Sequence, residues 1–191
     1  MLNNKTNILI KTEKEISYMR EAGNIIAEMM NKLGEAIEPG ITTLELDNIS
    51  KKEIKKNKVK SAFLGLYDFP NTICVSINEE IVHGIPSSRK LKNGDIISID
   101  AGVIVSGFNS DHAKTFAVGD CTQKEIDLLS DTSESLKLAI GECLSGKFVG
   151  DIGNAVEKFI IPKGYGLVRN YTGHGIGTVS YTHLRAHETR S

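Results

Sequence analysis

The sequence predicts an α+β fold built from two similar halves, and three observations carry that reading. Apolar residues recur at helical spacing near the start of the chain, at Ile16, Met19, Gly23, Ile26, Met30 and Leu33. Two short β-branched runs follow in the middle, Ile73-Cys74-Val75-Ser76-Ile77 and Ile96-Ile97-Ser98-Ile99-Asp100-Ala101. The opening words then return: Thr12-Glu13-Lys14-Glu15-Ile16 is echoed by Thr122-Gln123-Lys124-Glu125-Ile126. Either this is a true internal repeat, with a site at the junction of two sheets, or it is a chance likeness between two capped amphipathic helices.

Each element has a local reason. Thr12 with Glu15 three residues on is a capping box, so the first helix starts at residue 13. Pro39-Gly40 ends that unit, and Thr43 is the expected cap of a second helix carrying Leu46, Ile49 and Ile54 on one face. The lysine-rich stretch 51–60 reads as the solvated side of this helix and its exit. The two β-branched runs are strands, and 103–118 reads as the return arm of a hairpin with Ser106-Gly107 near its tip. After Thr122, a long helix is expected to be lined by Ile126, Leu129, Ser133, Leu136, Ile140 and Cys143. A shorter helix near 152–160 is closed by Pro162 and Gly164. Strands should then complete the second half.

Bulk composition narrows the function classes. Lys plus Arg is 23 and Asp plus Glu is 24, which argues against a nucleic-acid or membrane-surface partner. No apolar run approaches the ~20 residues of a membrane span, and residues 1–12 lack the apolar core of a secretory signal. Three well-separated cysteines, Cys74, Cys121 and Cys143, suit free thiols in a reducing, cytoplasmic setting.

The chemistry concentrates in the hairpin. Asp100 interrupts an apolar strand, and Asp111 lies on the returning arm. With the turn between Val105 and Ser106 the two face each other directly; moved by one residue they are diagonal on the same face. Like charges so placed repel, and both stay ionised only with a cation between them. A hard or borderline divalent metal fits such oxygen donors; the alternative is a solvated pair at a sheet edge. Two histidines sit in tight glycine-flanked turns, His83 in Val82-His83-Gly84-Ile85-Pro86 and His174 in Gly173-His174-Gly175-Ile176-Gly177. His112 points to the other face of an extended arm and stays outside the site. His183 and His187, followed by Glu188, do not make a zincin motif.

These words together resemble the type I methionine aminopeptidases of the pita-bread family. The likeness runs over about residues 12–177. It is carried by Ser76-Ile77-Asn78-Glu79, the His83 turn, Asp95 to Gly102, Asp111-His112-Ala113-Lys114-Thr115-Phe116 and the His174 turn. The resemblance implies the pita-bread (creatinase/aminopeptidase) fold, with pseudo-symmetric halves at about 12–118 and 119–178. It implies two divalent metal ions (Co, Mn, Fe or Zn), with Asp100 chelating one, Asp111 bridging and His174 binding the other. His83 would be the catalytic and substrate-binding histidine, and Phe63, Leu66, Tyr67, Phe69 and Cys74 would line a methionine slot. The implied activity is metal-assisted removal of the initiator methionine from nascent polypeptides, at the ribosome, by a cytoplasmic monomer. A Xaa-Pro-type peptidase, or a non-catalytic binding protein on the same fold, is the alternative.

The likeness lapses after Gly177. Tyr181 stands where the family has a second histidine, and two glutamate ligands expected on later strands do not follow. This reading makes 1–178 an incomplete catalytic domain and 179–191 a tail foreign to the family, with a weakly folded product that holds one metal loosely.

Overall fold

A computed structural model describes residues 10–171 and 173–179. The expectations for residues 1–9, Tyr181, His183, His187 and the end of the tail lie outside the described residues. Helix α1 spans Glu13–Ala36, with Thr12 and Glu15 closing the capping box. Its buried face is Ala22, Ile26, Met29, Met30 and Leu33; Ile26, Met30 and Leu33 of the expected stripe are buried, while Ile16, Met19 and Gly23 are only partly covered. Helix α2 spans Thr43–Lys56. Its cap is Thr42, paired with Glu45, and not Thr43. The Thr43 hydroxyl instead donates to the Ser87 carbonyl, 3.1 Å away, and is buried.

Strands β1 (Lys60–Ser61), β2 (Ile73–Ile77), β3 (Ile96–Ala101), β4 (Val103–Val105), β5 (Phe108–Asn109) and β6 (His112–Ala117) form two antiparallel sheets. One is ordered β1-β4-β5, the other β2-β3-β6. The return arm begins later than expected, because Val103 to Val105 belong to the outgoing arm and Val105 pairs with Phe108 across the turn. Ser106 (φ 48°) and Gly107 (φ 85°) supply the two positive-φ positions of that turn. Between β3 and β4 the hairpin passes from one sheet to the other at Gly102. A Cβ there would lie 2.7 Å from the Ser110 carbonyl oxygen and 2.9 Å from Ala62 Cβ, so only glycine fits the crossing.

The core lies between α1 and the sheets, with Ile73, Val75, Ile77, Ile97, Ile99 and Val103 packed against Ile26, Met29 and Leu33. At its margin sits a charged group: Asp47 of α2 is fully buried. Its carboxylate accepts from the Thr72 N–H at 2.8 Å, the Thr72 hydroxyl at 2.7 Å and Asn71 Nδ2 at 2.7 Å. Lys51 closes on it at 2.7 Å. Burial alone would push this carboxyl up, but Lys51, Asn71 and Thr72 outweigh it and hold it below the usual carboxylate range.

Helix α3 spans Gln123–Gly141 behind a Thr122/Glu125 capping box, the same kind of cap that opens α1. Helix α4 spans Val149–Ile160 and ends in a 3₁₀ turn, Ile161–Lys163, closed by Gly164 at φ 82°. The expected lining of α3 is not its buried side: Ser135 and Ala139 are buried, while Leu136 and Ile140 are exposed. Small residues occupy the side of α3 that is covered, and among the described residues no strand follows α4 to cover the larger ones. Among the described residues, two helices follow β6, as two precede β1.

Candidate active site

Two turns and one hairpin meet at the end of the β2-β3-β6 sheet. Cys74 on β2 pairs with Asp100 on β3, and Asp100 pairs with Ala113 on β6. Asp111, just before β6, is thus diagonal to Asp100 rather than opposite, the second of the two registers that the sequence allows. Both carboxylates reach the same side because the side-chain period of a strand is two.

The His83 turn is pinned from below. Gly84 donates its N–H to Ser76 Oγ at 3.2 Å, and its carbonyl accepts from the Val75 N–H at 2.8 Å. A Cβ on Gly84 would fall 1.9 Å from the Val75 carbonyl oxygen. His83 itself has φ 62°, an uncommon conformation for a non-glycine residue, which the pinned Gly84 maintains.

The His174 turn comes in from the far end of the chain. Its Nε2 lies 3.7 Å from Asp111 Oδ2. Its Nδ1 lies 3.1 Å from the Gly175 carbonyl; a proton on Nδ1 donated there leaves the Nε2 lone pair on the Asp111 side.

These pieces enclose a cavity of about 320 Å³. Asp100, Asp111, His83 and His174 form its polar side; Phe63, Leu66, Tyr67, Phe69 and Cys74 form the rest. All nine sequence-derived site residues therefore border one cavity. The aromatic and aliphatic members do not belong to the hydrophobic core. They sit on the loop between β1 and β2, where Tyr67 (φ 48°) and Asp68 (φ 63°) are both left-handed. Leu66 and Tyr67 are exposed at the rim.

The electrostatics of the cavity centre on Asp100. Its Oδ1 is buried and accepts no hydrogen bond. Burial, then the neighbouring Asp111 charge, raises the Asp100 carboxyl to about 7. Burial and the same two carboxylates lift the Cys74 thiol to about 12, so it stays a neutral, soft wall. His112 lies outside the cavity, and burial keeps its imidazole below the usual range.

A buried carboxylate oxygen with no donor, beside a second carboxylate and an imidazole, is the donor set a divalent cation takes. The fit is partial. Among the described residues no group of three His, Cys, Asp or Glu converges closely enough to hold an ion by itself.

Two groups were not anticipated from the sequence. Asp47 anchors Thr72, and so the end of the loop that walls the cavity. Its only signal is an acid beside Leu46 and Ile49 on an apolar helix face. Asn109 meets the His174 turn at the Gly177 carbonyl; nothing local marks it.

Comparison with known proteins identifies the family. The model of metallopeptidase family M24 matches residues 17–189. The methionine aminopeptidase of Clostridium perfringens is 43% identical over 170 residues, which is 89% of this chain and 68% of that protein. That of Borreliella burgdorferi is 45% identical over 172 residues, 90% of this chain and 68% of its own length. The crystal structure of methionine aminopeptidase from Rickettsia prowazekii superposes with a TM-score of 0.87 at 37% identity, over 91% of this chain and 70% of that one. Prolidase from Pyrococcus furiosus shares the fold, with a TM-score of 0.80 at 24% identity, over 90% of this chain and 50% of its own. The α+β architecture is thus the pita-bread type, here spanning about two thirds of the relatives' length. This chain belongs to metallopeptidase family M24, and within it to the methionine aminopeptidases.

Proposed function

We propose that this protein hydrolyses the first peptide bond of polypeptides that begin with methionine, acting on nascent chains in the cytoplasm as a monomer. The observation that carries the reading is the buried, unsatisfied Oδ1 of Asp100 facing a cavity whose other wall is apolar and carries a thiol. The Clostridium, Borreliella and Rickettsia proteins are named for this activity.

In this reading Asp100, Asp111 and His174 would hold the divalent metal. Divalent ions in such a site supply Lewis acidity toward the scissile carbonyl and lower the pKa of water. The chain's own residues do the rest. Phe63, Leu66, Phe69 and Cys74 accept the methionine side chain, since a thioether packs well against aromatic faces and soft sulfur. Tyr67 covers the slot from the rim. His83, at the polar side of the cavity, hydrogen-bonds the peptide group being cleaved.

The test is a single assay series. Met-Ala-Ser and Gly-Pro-Ala are offered to the chain with manganese or cobalt, beside Asp100→Asn. Release of methionine only, lost in Asp100→Asn, supports the reading. Cleavage ahead of proline favours a Xaa-Pro peptidase. Peptide binding without cleavage favours a binding protein.

A further inference from the structure

We propose that Asn109 is a positioning residue that holds the His174 turn against Asp111. The inference rests on the metal-site reading above, but its geometry stands apart from it.

The Gly177 carbonyl accepts two hydrogen bonds from the same residue. The Asn109 main-chain N–H donates at 2.8 Å and its side-chain Nδ2 at 3.1 Å. Asn109 is 3% exposed, and Gly177 is buried. Both bonds are therefore shielded from water, and breaking either while its donor remains leaves a buried N–H without a partner.

Each end of this link leads to a site residue. On one side, Asn109 is two residues before Asp111. The residue between them, Ser110, is locked to Val103. Its N–H donates to the Val103 carbonyl at 2.8 Å, its Oγ donates to the same carbonyl at 3.2 Å, and the Val103 N–H donates to that Oγ at 3.2 Å. Asn109 is thus held by the sheet, and so is the backbone entering Asp111.

On the other side, Gly177 is three residues after His174, a reach of roughly 10 Å at most. Gly173, Gly175 and Gly177 give that turn little conformational preference of its own. A glycine-rich segment arriving from 68 residues away needs an external anchor to keep an imidazole within a few ångströms of a chosen carboxylate. Asn109 supplies the anchor, and the 3.7 Å separation of His174 Nε2 from Asp111 Oδ2 is the result.

The experiment compares Asn109→Leu, which removes the side-chain donor at similar volume, with Asn109→Ala, in the wild-type and His174→Ala backgrounds. Two readouts are used on the full chain: hydrogen–deuterium exchange without metal, and cobalt(II) affinity from its visible absorption. Both variants should speed exchange in 173–179 while β3 and β6 stay unchanged. Both should weaken cobalt binding about 10-fold or more with His174 present, and not at all in the His174→Ala background. Unchanged exchange in 173–179 overturns the proposal, as does an equal loss of affinity in both backgrounds. If the wild-type chain binds no cobalt, the metal reading falls, and the exchange result alone decides whether Asn109 holds the turn.

Discussion

Asp47 on α2 accepts both the main-chain N–H and the hydroxyl of Thr72, at 2.8 and 2.7 Å, and so ties a helix to the entry of the strand that carries Cys74. The same carboxylate takes Asn71 and Lys51. A fully buried charge with four donors is stabilising only while every partner remains.

Removing it should therefore be severe. Asp47→Ala leaves the buried Thr72 N–H and Asn71 amide facing a void, and should destabilise the fold by roughly 3 kcal/mol. Because the folded carboxyl lies below its ordinary 3.8, its contribution is fully present above that value. It is lost as pH falls through the lower, folded value. Denaturant unfolding of the wild type and Asp47→Asn at stepped pH should show their difference shrinking below about pH 4. A difference that grows as the solution is acidified would contradict this.

Asp100 has the opposite sign. Its carboxyl is raised to about 7 by burial and by Asp111. The protonated form is favoured in the fold, so that stability is present at acid pH and lost as pH rises through 7. Without metal, Asp100→Asn should melt higher than the wild type at pH 8, and the advantage should shrink as pH falls below 7 and vanish near the ordinary carboxyl value of 3.8. Manganese or cobalt should then raise the melting temperature of the wild type but not of the variant. Scanning calorimetry with and without metal checks both halves of the statement.

Gly84 is a steric requirement. An added Cβ would lie 1.9 Å from the Val75 carbonyl oxygen, a backbone atom of a paired strand. Gly84→Ala must push the turn off β2, with a stability loss of about 2 kcal/mol or more and displacement of His83. Hydrolysis of a methionyl peptide should fall with it. A variant as stable and as active as the parent would mean that the turn is free to move.

Phe63 tests the slot. It borders the cavity and lies outside the core, so Phe63→Ala should affect substrate more than fold. The KM for Met-Ala-Ser should rise about 10- to 100-fold, the effect of emptying part of an apolar subsite. An equal rise for an alanyl peptide would place the residue elsewhere than against the methionine side chain.

Much of this protein is local and was readable as such. The boxes Thr12/Glu15 and Thr122/Glu125 form in the predicted places because a cap needs only three residues of context. Strands Ile73–Ile77 and Ile96–Ala101 match because β-branched runs bounded by turns have few other options. Asp100, Asp111, His83 and His174 were read from short, chemically unusual words, and Phe63, Leu66, Tyr67, Phe69 and Cys74 from the family resemblance; all nine border one cavity.

Tertiary structure decided what depends on distant partners. The register of β3 with β6, and hence the diagonal placement of Asp100 and Asp111, follows from a turn at Ser106-Gly107 and a crossing at Gly102 that only packed neighbours enforce. The α3 stripe misled because periodicity shows that a face is apolar, not which face is covered; Leu136 and Ile140 are exposed while Ser135 and Ala139 are buried. Asp47 and Asn109 were invisible for the same reason. Their partners lie 25 and 68 residues away, and a hydrogen bond across that separation leaves no pattern in the chain until the fold brings its two ends together.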